Sequence, residues 1–182
     1  GLAGADTYTY ARGGGNDVIA DGDNSGTGID RLVLSGISST EVRIGRQDDD
    51  AILYIAESAP GAGDGGSIIL RETMFTSIRG GIEEIIFSDV TWSQNTLRQK
   101  WVDQQQSASG DVILGPSIVN TATGGAGDDY INNGRNADVY YYTRGDGNDY
   151  ISETQIEINT DKLVLTNVAS TEVSVMRASG KV

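Results

Sequence analysis

Gly124-Gly125-Ala126-Gly127-Asp128-Asp129-Tyr130-Ile131-Asn132 reads, position by position, as Gly-Gly-x-Gly-x-Asp-x-U-x, where U is a large apolar residue. That pattern describes a glycine-rich turn feeding a very short strand. One match in a glycine-rich chain would carry little weight, but here the phase continues on both sides. Asp111, Asn120, Asp129 and Asp138 stand nine residues apart, each at the sixth position of a nonapeptide. Ile113, Ala122, Ile131 and Tyr140 follow at the eighth. A period that locks a polar ligand type to an apolar residue two places on is hard to produce by accident.

The chemistry of such a turn follows from its residues. Glycines allow positive φ and a close approach of backbone to an ion. Turn carbonyls and a carboxylate are hard oxygen donors, which suit calcium and not a softer transition metal. The residues after the turn form a strand whose apolar side chain points inward. One turn and one strand make half a coil, so turns eighteen residues apart stack on one edge and share an ion. Asp111 with Asp129, and Asn120 with Asp138, are the regular pairs. The expected fold is all-β: a calcium-binding parallel β-roll, or solenoid, with additional short strands and one short helix. Candidate ligands in this block are Asp111, Asn120, Gly125, Gly127, Asp129, Asn136, Asp138, Gly145, Gly147, Asp149 and Asp161.

Residues 1–34 hold three further turns. Gly4-Ala5-Asp6 leads to Tyr8, Gly13-Gly14-Gly15-Asn16-Asp17 to Ile19, and Asp30 to Leu32. Gly4, Asp6, Gly13, Gly15, Asp17 and Asp30 are the candidate ligands there. The spacing of the acids widens to eleven and thirteen, and it widens again through Asp138, Asp149 and Asp161. Asp21 and Glu153 hold matching positions just after the widened turns. Each is a candidate to complete an irregular calcium site; the plain alternative is a solvated acid at a strand end.

The chain also repeats on a longer scale. Residues 1–20 align with 133–152 at an offset of 132, and residues 30–42 with 161–173 at an offset of 131. Asp-x-Leu-Val-Leu followed by Ser-Thr-Glu-Val is shared by the second pair. The strands of residues 52–87 have no second copy, so the expectation is a piece of a longer array whose units bury their cores against neighbours.

At the nonapeptides the chain resembles the RTX family, the haemolysin-type calcium-binding repeat proteins. The motifs cover roughly half the chain, and the remainder resembles the segment that often follows such repeats. The resemblance implies a calcium-filled β-roll in a protein exported from a Gram-negative bacterium by type I secretion. Such a chain stays extended in low-calcium cytosol and folds outside, at the cell surface or beyond. The implied role is a calcium-binding module without catalysis of its own. Two alternatives stand beside it: a repeat of a large, calcium-stiffened surface adhesin, or the folding appendage of a secreted hydrolase or polysaccharide-modifying enzyme.

Composition bounds the rest. The 182 residues carry 26 acidic and 13 basic side chains, a net charge of −13. That balance argues against nucleic acid and anionic membranes as partners. There is no cysteine and no histidine, which excludes disulfides, His-based triads and His-metal centres. No apolar run reaches the ~18–20 residues of a membrane helix. Expected partners are calcium ions, end-to-end contacts of an exposed roll edge with another chain, and an unidentified extracellular carbohydrate or surface ligand.

The expected segments are turns of a repeat block over 1–40, a strand extension or cap over 41–92, a helix and linker over 93–108, a second block over 109–165, and the start of a second extension over 166–182. Short strands are expected at 42–44, 51–55, 67–70 and 82–87. The helix is expected over 91–106, capped by Ser93, with Leu97, Trp101 and Val102 on one face and Gln104-Gln105-Gln106 as a polar exit. Adjacent Glu83 and Glu84 on a strand face opposite sides and make no acid–base pair. Tyr8, Tyr10, Tyr140 and Tyr142 are expected to pack inside the roll, with a sugar-binding platform as the alternative.

Overall fold

The computed structural model describes residues 4–22, 28–74, 81–153 and 159–177. In chain order the elements are β1 (Thr7–Ala11), β2 (Asn16–Ile19), β3 (Arg31–Ser35), β4 (Val42–Gln47), β5 (Asp50–Ile55), β6 (Gly66–Leu70), β7 (Glu84–Ile86) and β8 (Thr91–Ser93), then α1 (Gln94–Asp103). There follow β9 (Val112–Leu114), β10 (Thr121–Ala122), β11 (Tyr130–Asn132), β12 (Val139–Thr143), β13 (Tyr150–Ile151) and β14 (Lys162–Thr166). The protein is mostly β, arranged as four small sheets with parallel and mixed pairing.

The nonapeptide period sets the pairing of the second half. Consecutive strands alternate between two all-parallel sheets, β9-β11-β13 and β10-β12-β14. Val112 pairs with Tyr130 and Thr121 with Val139, each eighteen residues on. Position-eight residues therefore fall in register on the inner faces, and Ile113, Ala122, Ile131 and Tyr140 are all buried. With Val102 of the helix they form one small core.

The first half begins the same way. β1 pairs in parallel with β3, and β3 with β7; β2 pairs in parallel with β6. Antiparallel strands then widen both sheets: β5 and β4 extend from β6, and β8 extends from β7. The alternation of β5 brings Ala51, Leu53 and Ile55 into a larger core with Leu32, Leu34, Ile68, Leu70 and Ile85.

The helix starts at Gln94, later than the pattern suggested. Thr91–Ser93 is instead strand, because Trp92 pairs with Ile85 and buries its indole against Phe87, ring centroids 4.4 Å apart. The Ser93 hydroxyl accepts from the Thr96 N–H at 3.1 Å and caps the helix. Trp101 packs against both cores.

The glutamines of this helix do more than lead out of it. The Gln99 amide meets both backbone groups of Thr121, accepting from its N–H at 3.0 Å and donating to its carbonyl at 2.7 Å. Gln105 does the same to Leu114, at 2.9 and 3.1 Å. Gln106 accepts from Thr123 N–H at 3.0 Å, and Gln104 from Ile44 N–H at 3.0 Å. Side-chain amides thus stand where a further strand would pair with β9 and β10, satisfying edge groups that otherwise invite another chain.

Candidate metal centre

The position-six carboxylates are joined by one recurring hydrogen bond. Each uses Oδ1 to accept from the backbone N–H of the position-six residue before the preceding strand of the same sheet. Asp129 accepts from Asp111 N–H at 2.7 Å, Asp149 from Asp129 at 3.2 Å, Asp138 from Asn120 at 2.7 Å and Asp161 from Asp138 at 3.0 Å. In the first half Asp30 accepts from Asp6 N–H at 2.7 Å, and Glu83 then accepts from Asp30 N–H at 2.7 Å. The pairs read from the nine-residue period are therefore brought together, and each edge of the second block carries such a ladder. Asp111, at the start of its ladder, accepts from the Ser107 N–H at 2.6 Å.

Glu83 was missed by the sequence reading, although a signal existed. Glu83-Glu84-Ile85-Ile86-Phe87 repeats the acid-x-apolar-x-apolar order of Asp30-Arg31-Leu32-Val33-Leu34. The register of β7 on β3 pairs Leu32 with Ile85 and so places Glu83 beside Asp30.

With Oδ1 committed to the ladder, the second oxygen is left to face the turn. Asp129 is 2 % exposed, and its Oδ2 is buried without a hydrogen-bond partner. It lies so close to Gly124 that a Cβ there would meet it at 2.0 Å. Leaving a buried carboxylate oxygen unmet costs roughly 1–3 kcal/mol or more. The neighbouring turns are stacked tightly: Gly147 has φ +118°, and a Cβ on it would meet the Gly127 carbonyl at 1.8 Å. Gly4, Gly13, Gly15, Gly125, Gly127 and Gly145 also have positive φ, as does Asn136.

Two denser clusters occupy matching places in the two copies of the long repeat. Carboxylate oxygens of Asp6, Asp21 and Asp30 lie within 4.8 Å of one another, as do those of Asp138, Glu153 and Asp161. Asp21 and Glu153 are thus drawn to the ladders. Tyrosines tie them in: Tyr8 donates to Asp21 Oδ2 at 2.7 Å and Tyr140 donates to Glu153. Tyr10 and Tyr142 donate to the carbonyls of Gly15 and Gly147, both at 3.0 Å. All four hydroxyls are therefore engaged locally; Tyr10 and Tyr140 are buried, and Tyr8 and Tyr142 are half-buried. Asp6 Oδ2 is a further buried oxygen without a partner.

The field at these clusters is strongly negative. Two carboxylates about 4.8 Å apart repel by about 3 kcal/mol at an effective dielectric of about 20. Burial, reinforced by the charges of Asp30 and Asp21, raises the pKa of Glu83. Burial and the charges of Asp129, Asp146 and Asp128 raise that of Asp149. Burial and the hydrogen-bonded carboxylate push the Tyr8 and Tyr140 hydroxyls well above their ordinary value. A cation among these groups would reverse each of these penalties.

Not every residue named from sequence joins a cluster. Asp17 is exposed on β2 and opposite Ile68, so no acid stacks on it. Asn136 donates through Nδ2 to the Ser117 carbonyl at 2.8 Å. Asn120 turns its nitrogen, not its oxygen, toward the turn carbonyls. Comparison with family models, with curated proteins and with solved structures returned no match. Among the described residues no helix is long and apolar enough to cross a membrane.

Proposed function

We propose that the chain is a calcium-binding module of the RTX type, in which the two alternating parallel sheets form a β-roll closed by ions along its edges. The observation that carries this reading is Asp129 Oδ2, buried and unpartnered inside a turn whose glycine leaves room for nothing larger than hydrogen. The donor set supports calcium: carboxylate and carbonyl oxygens, with no cysteine or histidine in the sequence. Asp129 and Asp111, Asp149 with its turn glycines, and the two three-acid clusters would hold the ions.

The mechanism is folding coupled to binding. Without cations the stacked carboxylates repel, and the small core of the second block does not offset chain entropy. At the about 10⁻⁴–10⁻³ M affinities of extracellular modules, calcium stays off in cytosol and binds outside, so binding energy becomes folding energy. Export by a type I route and folding at the exterior follow from that reading. The module is not catalytic in itself. The duplicated site, with Asp6, Asp21 and Asp30 matched by Asp138, Glu153 and Asp161, favours a repeat of a longer adhesin over an appendage that follows a catalytic domain.

The test is far-UV circular dichroism of chelated protein titrated with calcium, with magnesium as control. A cooperative gain of β signal with calcium alone is expected. Asp129→Asn keeps the ladder acceptor and removes the charge, so calcium affinity should fall about tenfold or more, about 1.4 kcal/mol. A chain that is folded in chelator and blind to calcium, with unchanged binding in the variant, would sink the reading.

A further inference from the structure

The two acid ladders of the second block start from different residues, Asp111 on one edge and Asn120 on the other. Asn120 is 1 % exposed, and while its Oδ1 is buried without a hydrogen-bond partner, its nitrogen is the atom that meets the turn. Its Nδ2 lies 2.6 Å from the Pro116 carbonyl oxygen, 2.8 Å from that of Ile118 and 3.0 Å from that of Asn133. Pro116 and Ile118 are the second and fourth positions of the same nonapeptide, and Asn133 opens the turn stacked on it. Three carbonyl dipoles therefore converge on one nitrogen. Converging carbonyls repel unless a positive group sits between them, and a carboxamide nitrogen offers two N–H donors for the purpose. The distances suit N–H···O bonds rather than the ~2.3–2.6 Å of calcium–oxygen contacts.

We propose that the Asn120 carboxamide does in this turn what an ion does in the turns built on aspartate: it gathers the carbonyls and cancels their repulsion. This rests on the calcium reading above, and it makes the residue type at position six the determinant of which turns take an ion. An aspartate has no hydrogen to donate when ionised; in this place it would add a fourth oxygen to three and demand a cation. The second edge of the block thus begins with a turn whose carbonyls are gathered by the chain itself, the two N–H groups being shared among the three acceptors. That turn lies beside the Gln99–Thr121 pairing of the helix, so the roll has a metal-free starting coil on which later ions add.

The experiment compares the full chain with Asn120→Asp in saturating calcium. Bound calcium is counted by equilibrium dialysis with metal analysis, and the side-chain amides of selectively ¹⁵N-labelled asparagine are followed by hydrogen exchange. The wild type should show a strongly protected asparagine NH₂ pair that is absent from the variant, beside that of the buried Asn133, which both proteins keep. The variant should hold an additional calcium ion and lose more of its β signal than the wild type when chelated. An unchanged ion count in a folded variant, or no such pair in the wild type, overturns the proposal. Should Asn120→Asp fail to fold, the wild-type amide protection decides the question. Should the wild type bind no calcium, the calcium reading falls separately, and the protected pair still upholds or overturns the amide assignment.

Discussion

Leu32 and Leu163 hold the same place in the two copies of the long repeat, yet Leu32 is 0 % exposed and Leu163 is 55 % exposed. The strands and turns around them are alike in detail. Both follow an acid of the ladder, both lie on the third strand of their copy, and the same tyrosine hydroxyls close the adjacent turns. Arg12 pairs with Glu41 in one copy, and Arg144 with Glu172 at 2.7 Å in the other. What differs is the cover. In the first copy β6 and β7 pair onto β2 and β3, and the antiparallel β5 and β4 extend the sheet from β6. In the second, among the described residues, Leu163 and Leu165 line an open recess of about 240 Å³ with Ile131, Tyr141, Tyr142 and Ile151. Among the described residues the same carboxylate framework is thus set in one copy against an extensive apolar core and in the other against a slight one. The turns are alike in the two copies; the added strands bring the larger core to the first.

The largest expected consequence is unequal dependence on calcium. Chelation should abolish hydrogen-exchange protection at the amides of Ile131 and Tyr140 while those of Leu53 and Ile68 remain protected at intermediate calcium. Residue-resolved exchange across a calcium titration measures this directly. Loss of protection in both regions at one calcium concentration would erase the comparison, showing a single cooperative unit instead of two with different supports.

A sharper form of the comparison uses the paired leucines. Leu32→Ala deletes a fully buried side chain and should cost about 2–5 kcal/mol in saturating calcium. Leu163→Ala, at the equivalent position, should stay within about 0.5 kcal/mol of the parent. Urea unfolding of the two variants supplies both numbers. Equal losses would mean that the recess at Leu163 is closed in solution and that the two copies are equally covered.

The turns and their inner residues were legible because their period is short and each position has one job. Position eight is apolar and buried, and position six carries the ladder acceptor. Asp21 and Glu153 could be marked because the long repeat sets them in matching places; that they close on Asp6 with Asp30, and on Asp138 with Asp161, depends on the path of the widened turns. Glu83 escaped because it lies outside the nonapeptide phase and uses a longer side chain to make the bond an aspartate makes elsewhere. Residue type alone marked Asn120 as a position-six residue, but a sequence does not say which end of its carboxamide faces the turn carbonyls. Thr91–Ser93 read as helix because Ser93 is a good cap, and the pull of Trp92 into the core against β7 is a tertiary effect that local pattern does not contain.

The polar run Gln104-Gln105-Gln106 is the plainest case of function hidden by composition, and it yields the smallest expected effect. A glutamine at a helix end reads as solvated, yet Gln99 and Gln105 each reproduce both hydrogen bonds of a neighbouring strand. Replacing either by alanine frees edge groups that water can reach, so each loss should be about 0.5–1.5 kcal/mol and not the full cost of a buried orphan. The two contacts lie on different sheets, β10 and β9, so the losses should add in Gln99→Ala/Gln105→Ala. The doubly altered protein should also self-associate more readily through the bared edges, which sedimentation velocity would register. Unchanged stability and unchanged sedimentation would show that the helix merely lies against the second block, and that the coil begun at Asn120 holds its own edge.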